Sequence, residues 1–271
     1  MKILFLGDIV GKIARDKVKE NISSLKTKFS PDVIIANAEN ASGGYGLSKK
    51  DAQDLLSSGI DVLTLGNHAW DQREMLTFIE ECPKIVRAIN YPEGVPGKGF
   101  YSLELINGKK IIVLQVMLRL FMSMSLDDPF STTRNFLLTE KLGSTCDSII
   151  VDVHGEASSE KMALGVALDG YVSAVVGTHT HVPTADHQIL ENGTAFITDV
   201  GMSGDYNSII GMNKKDALNR FKFPDNKKSR LEVSIGEPTL CGVIIESDTN
   251  GLSKSINPLR LGGKLDQTIL D

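Results

Sequence analysis

The chain has 271 residues, of which 41% are hydrophobic and 23% are charged, and its net charge is -5. This composition is typical of a globular protein and excludes the broad basic surface that binds duplex nucleic acid or an anionic membrane. The early apolar run at residues 3–6 is too short for a signal-peptide core, and no run approaches the roughly 20 residues of a membrane span. We therefore expect a cytoplasmic protein with one domain over residues 1–271.

The three cysteines of the chain are Cys82, Cys146 and Cys241. Their number is odd, they are widely separated, and no two of them have Cys-x-x-Cys spacing. This pattern argues against a disulfide framework and against a thiolate metal site. We expect buried free thiols.

Three apolar runs near the start of the chain predict buried strands at residues 2–6, 32–36 and 61–65. Polar side chains follow each run. Since ligands bind at the carboxyl ends of the strands in open α/β sheets, these side chains are candidate site residues. They are Asp8, Glu39, Asn40, Asn67 and His68.

Apolar residues at helical spacing predict helices at residues 15–28, 48–57 and 158–168. Ser48 precedes the second helix and Asp51 lies three residues later, which resembles a capping box. Strands that alternate with helices in this way indicate an α/β fold.

Two later strands, at residues 147–153 and 172–176, lead to the other histidines of interest. The first ends at His154, and the second runs into Gly177 and the pair His179 and His181. Two imidazoles spaced i, i+2 beyond a strand end can converge on a metal ion. Taken alone, such a pair is more often two surface histidines in a loop.

Hairpin turns at Asn107-Gly108 and at residues 191–193 predict additional antiparallel strands, and alternation near the carboxyl terminus predicts a final β section. The strands expected are residues 101–106, 110–115, 188–190, 194–198, 231–235, 240–246 and 252–256.

Several segments are less easily assigned. Residues 41–46 and 199–205 are glycine-rich, and we interpret them as a mobile loop beside the site and a loop able to close over it. Residues 117–135 are rich in methionine, which favours core or lid packing. Within them, Asp127 and Asp128 precede a proline and are expected to serve a turn rather than a metal.

Four of the five histidines belong to the strand-end set. Nitrogen and oxygen ligands without cysteine suit iron, manganese or zinc. The set exceeds what one ion uses, so we expect two ions about 3.5–4 Å apart with a bridging carboxylate. Two such ions can generate a hydroxide nucleophile, and a remaining histidine can protonate the leaving oxygen, which is the chemistry of phosphoester hydrolysis.

The same residues carry a family resemblance. Asp8, Glu39-Asn40, Gly66-Asn67-His68, His154 and Gly177-Thr178-His179-Thr180-His181 resemble the signature of the calcineurin-like metallophosphoesterases. Gly-Asp-Ile-Val-Gly at 7–11, Asn-Ala-Glu-Asn at 37–40 and Asp-Val-Gly-Met-Ser-Gly at 199–204 are similar to the YmdB-like branch.

This resemblance implies a four-layer αββα sandwich and two ions, iron being favoured over manganese or zinc. One ion would be held by Asp8, Glu39, Asn40 and His181, and the other by Glu39, Asn67, His154 and His179. Glu39 would bridge them and His68 would donate the proton. The implied substrates are 2′,3′-cyclic nucleotides and related phosphodiesters, with RNA ends as a further class.

Leu118, Gly155 and Asp205 depart from the residues expected in that branch, namely glycine, alanine and proline. At these positions the loop geometry and the substrate preference can differ from those that the resemblance implies. Two other functions stay open: a phosphomonoesterase or 5′-nucleotidase on the same site, and a regulatory protein that binds a nucleotide or RNA end with incidental catalysis. The sequence is equally compatible with a monomer and a homo-oligomer, and His187 is interpreted as structural.

Overall fold

A computed structural model describes residues 1–223 and 231–268, and two six-stranded sheets organise that part of the chain. The first sheet contains β1 (Lys2–Leu6), β3 (Val33–Asn37), β4 (Val62–Thr64), β5 (Ile85–Val86), β13 (Leu240–Ser247) and β14 (Ser253–Leu261). Its spatial order is β14-β13-β1-β3-β4-β5. Strands β1, β3, β4 and β5 are parallel, whereas β13 is antiparallel to both of its neighbours.

The second sheet repeats this mixed arrangement. It contains β6 (Phe100–Glu104), β7 (Lys110–Met117), β8 (Ser148–His154), β9 (Ala174–Thr178), β10 (Gln188–Ile189) and β11 (Ala195–Ile197) in the order β10-β11-β9-β8-β7-β6. The four central strands are parallel, and the outer strands form the two predicted hairpins. A small third sheet pairs β2 (Asp8–Ile9) with β12 (Met202–Ser203).

Six helices accompany these three sheets in the described residues, so the fold is mixed α/β. They are α1 (Gly11–Phe29), α2 (Lys49–Ser57), α3 (Met75–Glu81), α4 (Pro129–Thr139), α5 (Ser158–Ala167) and α6 (Lys214–Lys222). The described helices include none that is both long enough and apolar enough to cross a membrane.

Side-chain alternation along the strands divides the core. On β1, Ile3 and Phe5 pack with Val113 and Ile150 of the second sheet, so the two sheets share one apolar layer. The alternate residues of β1 pack with α1, α2 and α3, and the outer face of the second sheet packs with α4 and α5. Successive residues of a strand point to opposite faces, and strands buried on both faces consist almost wholly of apolar residues, as here.

Most predicted elements are confirmed, with shifted ends. The first helix begins at Gly11 instead of residue 15, because Gly11 has a φ of 71° and turns the chain directly out of β2. Ser48 is the N-cap of α2 and accepts a hydrogen bond from the backbone of Asp51. The capping box is incomplete, since the carboxylate of Asp51 binds Ser42 and Arg15 instead.

The strand predicted at residues 231–235 is wrong. Only Val233 forms a bridge, to Met212, and Ile235 is 89% exposed. The alternation there does not reflect a sheet face, because the backbone of this segment bonds to the loop at residues 211–213.

The glycine-rich segment 199–205 is also not a loop over the site. It is buried, and Met202 and Ser203 pair with Asp8 and Ile9 as β12. In residues 117–135, Met117 packs against Tyr91 and Leu126, so it has a core role. Asp128, expected to serve a turn, is instead the N-cap of α4 and accepts a hydrogen bond from the backbone of Ser131. Cys146 and Cys241 are buried thiols and Cys82 is half-buried; all three are free.

Candidate metal centre

The two histidines beyond β9 point into the molecule rather than into solvent. His179 and His181 have φ values of 102° and 67°, a left-handed conformation that is rare for residues other than glycine. The His179 Nδ1 lies 3.1 Å from the Nε2 of His154, and the His181 Nε2 lies 3.1 Å from the amide of Asn40. The two rings therefore meet different partners.

Two buried carboxylates lie between these rings. Asp8 follows β1, and Glu39 follows β3; they are 0% and 1% exposed. One oxygen of Asp8 accepts a hydrogen bond from the backbone of His179 at 3.2 Å, but its Oδ1 is buried without any partner. A buried carboxylate oxygen that lacks a hydrogen bond is costly, and a metal ion would satisfy it.

Glu39 connects the two halves of the site. Its Oε1 lies 3.0 Å from the Asn40 amide and 3.3 Å from the Nε2 of His154, and its Oε2 accepts a hydrogen bond from the backbone of His68. A rotation of the Asn40 side-chain amide by 180° would put its oxygen where its nitrogen now lies, beside Glu39 and His181. Gly66 allows this approach, since a Cβ there would lie 2.2 Å from Glu39 Oε2.

His154 at the end of β8 is oriented from behind. The Thr178 hydroxyl donates to Asp152 Oδ1 at 2.6 Å, so it accepts the hydrogen bond that the His154 Nδ1 donates at 2.9 Å. Nε2 is left facing the site, where the Asn67 Oδ1 is 2.9 Å away. A hydrogen bond from one ring nitrogen of a histidine leaves the other nitrogen to bind a metal.

Ligand atoms gather in two groups, each within 4.8 Å: Glu39 with His154 and His179, and Asp8 with Glu39 and His181. Glu39 belongs to both. Nitrogen and oxygen donors without cysteine suit iron, manganese or zinc, so the residues present fit two such ions. All seven predicted ligands lie in or beside these groups.

The electrostatics of the site also favour bound positive charge. Burial alone would lower the pKa of His154, but the carboxylates of Glu39, Asp8 and Asp152 together outweigh it and raise that pKa to about 9. Burial raises the pKa of Asp8 to about 7 against the opposing effect of His181 and His154. Burial and the neighbouring His154 lower the pKa of His179 to about 3. A cation, whether proton or metal, is thus stabilised beside Glu39.

His68 lies at the rim of the centre and is not one of its buried groups. Its Nδ1 donates to Asp71 at 2.8 Å, its side chain is 31% exposed, and its ring meets the edge of Tyr45 at 5.3 Å. The ring is therefore oriented and still reachable by a ligand. His187 is exposed and lies outside both ligand groups.

Three residues of the site were missed from the sequence: Asp71, Asp152 and Thr178. Asp152 has a visible signal, because it is a lone carboxylate inside the apolar strand β8, two residues before His154. Asp71 also has one, since it lies three residues after His68. Thr178 belongs to the quoted histidine motif, but its contact with His154 has no signal, because only the packing of β9 beside β8 brings the two together.

The unusual residues Leu118 and Gly155 face each other. A Cβ at Gly155 would lie 2.6 Å from the Cβ of Leu118, which is fully buried. A larger residue at one position therefore accompanies a smaller one at the other. Asp205 accepts hydrogen bonds from Asn207 and Ser234 and holds its own loop.

Carboxylate, amide and imidazole side chains gathered at the ends of parallel strands are an arrangement of the metallophosphoesterase type. The sequence model of the YmdB-like protein family matches residues 4–259, and the chain belongs to that family. This chain is 48% identical over 248 residues to the 2′,3′-cyclic-nucleotide 2′-phosphodiesterase of Bacillus subtilis (strain 168), and the alignment covers 92% of each chain.

Solved structures agree with this assignment. A hypothetical protein from Thermus thermophilus superposes with a TM-score of 0.89 at 39% identity, covering 96% of this chain and 99% of the other. A novel phosphatase from Mycoplasma pneumoniae superposes with a TM-score of 0.87 at 35% identity, covering 96% and 93%.

Proposed function

We propose that this protein is a two-metal phosphodiesterase that hydrolyses 2′,3′-cyclic nucleotides or related phosphodiesters. The observation that carries the proposal is the membership of Glu39 in both ligand groups, because a shared carboxylate is what a pair of bridged ions requires. The name of the Bacillus subtilis relative supports the substrate class.

The ligands divide between the ions as the two groups suggest. Asp8, Glu39, Asn40 and His181 would hold one ion, and Glu39, Asn67, His154 and His179 the other. Iron is the metal we propose, with manganese and zinc as alternatives, since the donor set suits all three. When bound, two such ions neutralise charge on phosphoryl oxygens and lower the pKa of the water they bind.

His68 would supply the proton to the leaving oxygen. The hydrogen bond from Nδ1 to Asp71 fixes the ring and leaves Nε2 free to face the substrate. Holding the ring in one orientation is what a general acid needs, because the proton must reach the leaving oxygen. The partial exposure of His68 is consistent with this role, because a ligand can reach it.

Replacing His68 with alanine tests this function. We expect His68→Ala to retain its metal ions and to lower kcat by about 10²–10⁴-fold on a diester with a poor leaving group, with a much smaller loss on a nitrophenyl ester. The exposed His187 provides a matched control, since His187→Ala should change neither value. Equal losses on both esters would contradict the proton-donor role.

A phosphatase is the second candidate, favoured by the name of the Mycoplasma pneumoniae structure. Hydrolysis rates of bis-substituted and mono-substituted aryl phosphates by one enzyme preparation distinguish the two. We expect the diester to be preferred, and a preference for the monoester would favour the phosphatase.

We also propose an arrangement of layers and a cellular location for the protein. The three apolar layers support a four-layer αββα sandwich that forms one domain over residues 1–271. Three free thiols are consistent with a cytoplasmic protein, since that compartment keeps cysteines reduced. The expected partners are small phosphodiesters or cyclic nucleotides, and RNA ends are a further substrate class to test.

A further inference from the structure

A buried ion pair lies directly behind the loop that carries His179 and His181. Lys161 of α5 and Asp199 are both 0% exposed, and the Lys161 Nζ lies 2.8 Å from Asp199 Oδ2. No step of the proposed chemistry uses either residue. Burying two charges is expensive, so a pair retained at this position calls for an explanation.

Hydrogen bonds from this pair hold the backbone on both sides of His179. Lys161 Nζ also donates to the carbonyl of Thr178 at 2.6 Å, and Asp199 Oδ2 accepts from the amide of Thr180 at 3.0 Å. Asp199 Oδ1 accepts from the amide of Gly201 at 2.8 Å, which anchors the pair to the segment before β12.

The held segment is the one whose backbone is under strain. His179 has a φ of 102° and is not glycine, a conformation that persists only when the surroundings impose it. Its amide also donates to Asp8 at 3.2 Å. Without the contacts at Thr178 and Thr180, the loop could relax toward ordinary backbone angles, and both imidazoles would move.

We infer that Lys161 and Asp199 are positioning residues, which clamp the loop so that His179 and His181 face different metal ions. The inference rests on the proposed metal centre. Lys161 is fully buried and its ammonium group binds Thr178 and Asp199, so it acts through the loop and does not touch the substrate. Because the loop supplies a ligand to each ion, loss of the clamp should weaken binding of both.

Metal titration of folded, metal-free protein tests the clamp. Mn²⁺ binding is compared for wild type, Lys161→Met and Leu164→Ala. Leu164 is buried on the same helix and belongs to the apolar cluster that contains Val175 and Phe196. We expect Lys161→Met to weaken Mn²⁺ affinity by about 10- to 100-fold, the effect typical of residues that orient ligands, and Leu164→Ala to change it by less than about threefold. Equal Mn²⁺ affinities of Lys161→Met and Leu164→Ala would contradict the positioning role of Lys161.

The double variant Lys161→Met/Asp199→Asn separates positioning from stability. Removing both charges leaves no lone buried charge, so its Tm should recover relative to Lys161→Met, while its Mn²⁺ affinity should stay low. Recovery of affinity together with Tm would overturn the inference. If Lys161→Met does not fold, the double variant and Asp199→Asn alone are compared with Leu164→Ala in the same titration. Failure of the wild type to bind two ions would instead contradict the proposed function.

Discussion

At the scale of single residues, the site depends on side chains whose neighbours leave them one orientation. Asp152 shows this most clearly. It is fully buried and accepts hydrogen bonds from Thr64, Thr178 and Asn37, which belong to both large sheets. Through Thr178 it orients His154, so this one carboxylate joins the sheets and sets which nitrogen of His154 faces Glu39.

Gly155 and Leu118 offer a test of compensation between two residues. Gly155→Ala should destabilise the protein by about 1–3 kcal/mol, because the added Cβ would overlap the Leu118 side chain. Leu118→Gly alone should also destabilise it, since it leaves a cavity and frees the backbone. Urea denaturation measures the free energy of unfolding of each variant. The double variant should lose less free energy of unfolding than the sum of the losses in the two single variants, and a loss equal to that sum would contradict the contact.

At the scale of elements, both large sheets contribute strand ends to one site. Glu39, Asn40 and Asn67 follow strands of the first sheet, and His154 and His179 come from the second. Helix α5 connects to this edge through its first turns. Lys161 donates to the carbonyl of Thr178 at the end of β9, and Glu160 accepts hydrogen bonds from the backbone of residues 119 and 120 after β7. The helix thus orders two loops beside the candidate metal centre.

The cap of α2 provides a prediction for an element. The Ser48 hydroxyl accepts from the Asp51 amide at 3.1 Å, so Ser48→Ala should lower the free energy of unfolding by about 1 kcal/mol. Ser48→Asp retains an acceptor at this position and should cost much less. Chemical denaturation of both variants checks this, and equal losses would show that the cap contributes little.

At the scale of the whole molecule, metal binding should be linked to folding and to pH. The ligands come from segments far apart in the sequence, so the unfolded chain offers no comparable site, and bound ions stabilise the folded state. The folded protein without metal holds a proton on His154 more tightly than the unfolded chain does, because the pKa rises from 6.5 to about 9.

This linkage has a definite sign. The stability that His154 contributes to metal-free protein is complete below pH 6.5 and is lost as the pH rises toward 9, by about 3 kcal/mol at 1.36 kcal/mol per pKa unit. Metal ions replace that proton, so the gain in Tm on adding Mn²⁺ should grow from pH 6.5 to 9. Thermal unfolding of chelator-treated and Mn²⁺-loaded protein measures it, and a gain that shrinks over this range would contradict the linkage.

The sequence by itself determined the buried strands and their polar ends, because apolar runs and the residues that stop them are local patterns. The α/β class and both hairpins were predictable in this way. So were the five members of the two ligand groups, Asp8, Glu39, His154, His179 and His181. Only the tertiary structure decided convergence. The contact of Thr178 with His154, the Lys161–Asp199 pair behind the histidine loop and the burial of residues 199–205 depend on which strands lie side by side. Strand order is set by long-range packing, and no local pattern encodes it.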